Sequence, residues 1–239
     1  MRQEFEQIIN RLGWIRSRLD EYIQDKGGVT DEAESILEYV NCIGSIPDLG
    51  NIRNGIEVFA GNTYLERIPE CLADATQVFT SMYKFAMGCT ALKSVPRLYT
   101  GNVTTFVYAF YGCTALQEID GLITTAATTL GECFHNCSSL VRIGNPLNVS
   151  NLTSQMDTTF TGCANLEDLE FSGSLKVDTW LSGAPKLTLA SLQSVIDSLA
   201  DLNQLAVPTT KKITFGARNK AKLSAAQLAL VTDKGWTLG

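Results

Sequence analysis

Histidine is almost missing: His135 is the only one among 239 residues. General acid–base chemistry and most metal sites lean on imidazole, so this scarcity removes their commonest carrier. No apolar run approaches the ~20 residues that a membrane-spanning helix needs, which argues against membrane insertion. A basic excess is lacking too. The net charge of −6 and pI near 4.9 exclude a phosphate-backbone binder, because that task needs clustered cations. The opening residues, Met1-Arg-Gln-Glu-Phe-Glu-Gln, are polar and have no apolar signal core, so synthesis without secretory export is expected. The acidity is uneven. Residues 1–75 hold 14 acidic and 7 basic residues, marking the N-terminal third as a separate section.

Cysteine is present in an odd number, seven, which fits a reducing compartment better than a disulfide framework. Four of them share one phrase, Phe-x-x-Cys-x-x-Leu-x-x-Ile. It reads Phe110-Tyr-Gly-Cys113-Thr-Ala-Leu116-Gln-Glu-Ile119 and Phe134-His-Asn-Cys137-Ser-Ser-Leu140-Val-Arg-Ile143, with further copies around Cys89 and Cys163. Asn62 and Ala184 take the cysteine place in the flanking copies. The six anchors 62, 89, 113, 137, 163 and 184 are separated by 27, 24, 24, 26 and 21 residues. A period of about 20–29 residues with Leu-rich phrases is that of a leucine-rich-repeat solenoid. Apolar residues recur seven and three before the cysteine place and three and six after it, about five inward side chains per turn. Such a face is covered only by a neighbouring turn, so stacking is obligatory. One copy departs: Phe85 precedes Ala86 where other copies carry Phe three before the cysteine, which predicts a local distortion.

The phrase resembles the BspA-like (Treponema-type) leucine-rich repeats over roughly residues 55–190. The resemblance implies one short strand per turn around Leu-x-x-Ile, with the Phe-x-x-Cys arc on the opposite wall. It also implies a binding role with widely varying ligands, and no catalytic residue. The ending, with Ile213-Thr-Phe-Gly216, Ala221-Lys-Leu-Ser224 and Lys234-Gly-Trp-Thr-Leu238, is similar to C-terminal segments of gut bacterial and phage repeat proteins.

The expected fold is therefore an α+β repeat solenoid with four sections. Residues 1–28 form a helix in which Phe5, Ile8, Leu12, Ile15, Leu19 and Tyr22 follow an unbroken a/d spacing. Leu at a with Ile at d favours three or four strands, so this is a trimeric stalk; the other reading is an amphipathic helix packed on the repeats. Residues 29–54 form a helical N-terminal cap, 55–187 the repeats, and 188–239 a C-terminal α/β cap. In that cap Thr188 opens a helix over Leu189, Leu192, Val195, Ile196 and Leu199. Lys211–Phe215 is a strand, Ser224-Ala-Ala-Gln227 a capping box, and Trp236–Leu238 a final strand.

No constellation for catalysis, metal or cofactor emerges. Cys133-Phe-His135-Asn-Cys137 has too few ligands and its Cys137 belongs to the wall. Glu167, Asp168 and Glu170 read as a solvated edge. Strand alternation instead turns Arg67, Ser94, Glu118, Asp120, Arg142, Asp168 and Glu170 outward, and this set varies while the inward grid does not. Tyr64, Tyr83, Tyr99, Tyr108 and Tyr111 among Thr and Asn suit glycan stacking as well as a plain surface. The expectation is a non-enzymatic phage virion fibre or appendage subunit, a homotrimer binding a protein or surface glycan, with no nucleic acid. The alternative is a bacterial cell-surface adhesin or a monomeric scaffold.

Overall fold

The computed structural model describes residues 55–68, 79–207 and 209–239. All of them belong to one compact unit, Ile52–Ile68 with Ala73–Gly239. The heptad residues Phe5, Ile8, Leu12, Ile15, Leu19 and Tyr22, and the segment 29–54, lie outside the described residues.

The repeats form short parallel strands, each ending on the inward residue of Leu-x-x-Ile or its Val equivalent. Strands β1 (Ser94–Val95), β2 (Glu118–Ile119) and β3 (Arg142–Ile143) lie side by side, with Ser94 opposite Glu118 and Glu118 opposite Arg142. Single bridges Arg67–Ser94 and Arg142–Asp168 extend the row at both ends. A second parallel pair, β4 (Leu147–Asn148) with β5 (Phe171–Ser172), was not expected from the sequence. It uses Leu147 and Phe171, both buried, which fall outside the four-position apolar grid.

What joins one turn to the next is a backbone hydrogen-bond ladder on both walls. On the Phe-x-x-Cys wall, each turn donates forward. The N–H groups of Met82, Lys84, Ala86 and Gly88 reach the carbonyls of Thr105, Val107, Ala109 and Tyr111 at 2.9, 2.9, 2.7 and 2.7 Å. Phe106, Tyr108, Phe110 and Gly112 do the same one turn on. On the strand wall donation runs both ways: backward from Lys93 to Glu66, Gln117 to Lys93, Val141 to Gln117 and Glu167 to Val141, and forward from Ile143 to Asp168 and Leu147 to Glu170. A backbone N–H left unpaired inside the fold costs about 1–3 kcal/mol, so each turn needs both neighbours.

Inside, Phe110, Phe134 and Phe160 stack along the wall, with ring centroids 6.0 and 5.8 Å apart and planes within 15°. The expected distortion at Ala86 is absent. Phe85 occupies the place four before the cysteine, which Ala109, Cys133 and Thr159 fill in later turns, and all four are buried. Its ring meets Phe59 and Phe110 edge-on at 5.2 and 6.2 Å, so the aromatic column passes through without a shift in register. This position is a further inward place that the five-residue grid missed, because its occupants differ so much in size and polarity.

The chain turns left-handed at the residue before the cysteine. Gly61, Gly88, Gly112 and Gly162 have φ between 71 and 78°, and Asn136 has 60°. Glycine and asparagine adopt this conformation at least cost, which accounts for the Gly-Cys and Asn-Cys pairs.

The C-terminal segment continues the ladder. Strand β6 (Thr179–Trp180) pairs in parallel with β7 (Lys211–Thr214), and β7 with β8 (Trp236–Leu238). Helix α1 (Leu189–Ser198) opens on Thr188, whose side chain accepts from Ser191 N–H. It buries Leu192, Val195 and Ile196, whereas Leu189, counted with that face from the sequence, is half exposed. A short helix α2 (Ala217–Lys220) precedes α3 (Ala225–Asp233), which starts on the complete capping box of Ser224 and Gln227. Where another repeat would be, Leu181 N–H donates to Thr214 O at 2.7 Å. The fully buried Asn219 side chain donates from Nδ2 to the carbonyls of Leu181, Ala184 and Phe215, at 3.3, 2.9 and 3.1 Å.

Replacing Asn219 by Ala removes three buried side-chain hydrogen bonds, leaving the Leu181 and Ala184 carbonyls with only the N–H of their own turn. A loss of about 2–4 kcal/mol in denaturant unfolding is expected, with Asn219→Asp at least as damaging because a buried carboxylate cannot donate.

Candidate functional site

The strand face collects most of the residues expected there. Arg67, Ser94, Glu118, Arg142 and Asp168 form one row across five successive turns, in parallel register. Asp120 and Glu170 are exposed on the same wall, two residues after Glu118 and Asp168. The row is internally paired. Arg142 reaches Glu118 Oε2 at 3.0 Å, with both side chains nearly half exposed. Glu118 first, then Asp120 and Asp168 at longer range, raise the Arg142 guanidinium further above its ordinary value. A neighbouring column, one residue nearer the Leu, carries Glu66, Lys93, Gln117, Val141 and Glu167, joined by backbone bonds from each turn to the one before. Lys93 bonds Glu66 at 2.9 Å. This column was missed: its outward residues break the strand alternation that guided the choice, and Val141 is 40% exposed.

The opposite wall carries an aromatic strip that the sequence scattered among unrelated tyrosines. Tyr83 meets Tyr108 at 6.1 Å, Tyr108 meets Tyr111 at 5.6 Å, and Tyr111 meets His135 at 4.9 Å. Glu57 pairs with Lys84 at 3.4 Å, and Lys84 Nζ lies 5.1 Å from the Tyr83 ring centre. The hydrogen bond to Glu57 leads the causes that raise the Lys84 ammonium. Likewise a hydrogen bond to Glu132 leads those raising the Tyr108 phenol. Tyr64 and Tyr99 are exposed and stand apart from these ring contacts.

His135 belongs to this strip and not to a metal corner. Its Nδ1 is 3.4 Å from Glu132 Oε2, close enough for an ion pair yet outside hydrogen-bond geometry. Cys137 is committed elsewhere: its thiol donates to Phe110 O at 3.0 Å. The other three periodic thiols repeat this bond, Cys89 to Phe59, Cys113 to Ala86 and Cys163 to Phe134, at 3.0–3.1 Å. Each thus caps the carbonyl of the residue three before the cysteine place in the preceding turn. Asn219 does the same for Leu181, standing in for the missing next cysteine. Burial pushes Cys89 and Cys163 up to about 12 and raises Cys113, Cys133 and Cys137 further. A thiol held neutral is neither nucleophile nor metal ligand. Among the described residues no group of three His, Cys, Asp or Glu is placed to hold a metal ion. Nor is any described helix long and apolar enough to cross a membrane.

Two lysines of the C-terminal segment are consumed by structure. Lys222 Nζ donates to the carbonyls of Leu187 and Pro185 at 2.7 and 3.1 Å, and Lys234 Nζ to those of Ile196 and Asp197 at the end of α1.

With stacked parallel turns, a periodic thiol and a Leu-x-x-Ile strand in place, the family comparison is decisive. Residues 76–188 match the profile described as BspA type leucine rich repeat region, in 6 copies. They belong to the BspA-type leucine-rich repeats. Comparison with curated proteins and with solved structures returns no match. Membership of this repeat type suggests a protein-binding or adhesive role.

Two outcomes follow for the thiols. In native protein at pH 8.5 the five thiols of Cys89, Cys113, Cys133, Cys137 and Cys163 stay unalkylated by mass spectrometry, and all react after denaturation. Stability also depends on pH in the alkaline range. The unfolded thiols ionise near about 8.5 while the folded ones stay neutral. The thiol contribution is therefore complete below that pH and is lost as pH climbs towards about 12. The denaturation midpoint should fall over that interval, and less so in the Cys89→Ala, Cys163→Ala double variant.

Proposed function

We propose that this chain is a non-enzymatic binding and assembly protein, whose repeat turns stack into a solenoid that presents the strand face to a partner. One observation carries this reading. The outward row Arg67, Ser94, Glu118, Arg142 and Asp168 changes charge and size from turn to turn, while the inward residues beneath it, Ile68, Val95, Ile119, Ile143 and Leu169, stay alike and buried. Packing dictates the second set and cannot dictate the first, which is how a recognition surface on a rigid scaffold is built.

The setting we favour is a phage virion: a fibre or appendage subunit, gathered as a homotrimer by Phe5, Ile8, Leu12, Ile15, Leu19 and Tyr22, and facing a host surface or another virion protein. Its partner is a protein or a surface glycan. The heptad spacing and the character of the C-terminal segment support this. A copy number of three also turns modest contacts into firm attachment through effective concentration. The second reading is a bacterial surface adhesin or monomeric scaffold. It is favoured by the family match, which points to protein binding or adhesion and carries no virion element.

Light scattering separates the two: the virion reading expects a mass of three chains, reduced to one by deleting residues 1–28, and a full chain that stays monomeric when concentrated rejects the stalk. For the strand face, the double charge reversal Arg67→Glu with Arg142→Glu is expected to abolish retention on immobilised host-surface fractions while leaving the unfolding midpoint within about 0.5 kcal/mol, as for exposed sites. Undiminished retention rejects that face.

A further inference from the structure

The aromatic strip on the Phe-x-x-Cys wall contains its own template for a ligand. At one end, the Lys84 ammonium is held between the Glu57 carboxylate at 3.4 Å and the face of Tyr83, 5.1 Å from the ring centre. Anion and ring together make a cation site, since the ring quadrupole attracts positive charge over its face. At the other end the same parts recur. Glu132 stands five before its cysteine place, as Glu57 stands five before Asn62. Tyr108 and His135 adjoin Glu132, and the Tyr111 ring packs against both of those rings. Among the described residues, no lysine or arginine lies within ion-pair distance of Glu132; its neighbour is His135, whose Nδ1 makes no hydrogen bond.

We propose that Tyr108, Tyr111 and Glu132 form a receptor for a lysine or arginine side chain on an exposed basic segment of a partner protein. Three further features fit this use. The rings are half-buried, not covered, so their remaining surface is offered to a ligand. Tyr108 and Glu132 share a left-handed backbone, at φ 58° and 52°, with Glu57 and Lys84, so the turn five before the cysteine place presents each of these side chains at the same place on the wall. In the next turn the equivalent place is Thr158, which is not left-handed, and the corresponding outward residues there are Thr158 and Thr161 instead of aromatics. Tyrosine also gives large contact area with little conformational freedom to lose. Lys84 does not oppose the incoming cation, because Glu57 matches its charge.

This site lies on the wall away from the Arg67–Asp168 row and does not rest on the strand-face reading. The test titrates the full chain with an acetylated Lys-Gly-Arg-Gly-Lys peptide, followed by tyrosine fluorescence and by NMR. Saturable binding that weakens as salt rises is expected. Glu132→Gln and Tyr111→Leu should each weaken it about fivefold or more, whereas Glu118→Gln and the Arg67→Glu, Arg142→Glu pair leave it unchanged. The same peptide with its lysines acetylated and citrulline for arginine should not bind. Circular dichroism confirms that each variant is folded, and Glu132→Gln, an isosteric change at a half-buried side chain, decides the matter if Tyr111→Leu unfolds. Absence of binding to the native chain, or binding indifferent to Glu132→Gln, overturns the proposal. So does binding of a neutral oligosaccharide that needs Tyr111 but not Glu132, which would assign the strip to carbohydrate.

Discussion

Every turn of this protein leaves backbone donors that only the next turn accepts and backbone acceptors that only the next turn fills. On the Phe-x-x-Cys wall alternate N–H groups from Met82 to Gly88 and from Phe106 to Gly112 reach the next turn; on the strand wall donation runs both ways, back from Val141 to Gln117 and forward from Ile143 to Asp168. A single turn would bury unpaired polar groups along with its phenylalanines, and neither is tolerated without a neighbour. The periodic apolar grid and the hydrogen-bond ladder therefore impose the same requirement, and together they make the turn spacing of about 24 residues hard to vary except by insertions outside the ladder.

The thiol ladder is the finest detail of that constraint. A carbonyl at the place three before the cysteine already accepts one N–H within its own turn, as Phe110 O does from Cys113 N–H. The thiol of the next turn supplies a second, weak donor small enough to fit between aromatic columns. Cysteine suits this place because it is a compact apolar residue that can still donate. Where the repeats end, Asn219 reaches back from α2 to provide the donor, and makes two further bonds that hold the last turn. The repeat thiols and phenylalanines are thus committed to packing, and the residues free to vary are the outward ones of the two walls.

Those walls differ in kind. The strand face is a row of charges largely matched in place, Arg142 with Glu118 and Lys93 with Glu66. Exposed pairs of this sort contribute little to stability, so their arrangement is free to serve recognition. The opposite wall presents rings in contact from Tyr83 to His135, edge-on between the tyrosines and tilted at 31° between Tyr111 and His135, with Glu57 and Glu132 at either end. One is an electrostatic pattern on parallel strands; the other combines ring surface with unbalanced negative charge.

Much of this was legible in the residues. The spacing of Phe, Cys, Leu and Ile specified the inward grid, the strand at Leu-x-x-Ile and the passive role of the cysteines, since periodic side chains in a core have few conformational choices. Thr188, Ser224 and Gln227 announced the helices they cap, because capping is a local interaction. The charged row was legible for the same reason: strand alternation is local. What the sequence could not convey were contacts between turns at places whose occupants vary. The position four before the cysteine holds Phe, Ala, Cys and Thr and shows no pattern, yet the stacking buries all of them. Tyr83, Tyr108 and Tyr111 occupy unlike positions in their repeats, and only the register of one turn on another brings their rings together. Asn219, distant in sequence from Leu181, became a structural donor only once α2 was folded beneath the last turn. Local periodicity thus determined the fold of the repeats, and the cross-turn register decided which outward residues meet.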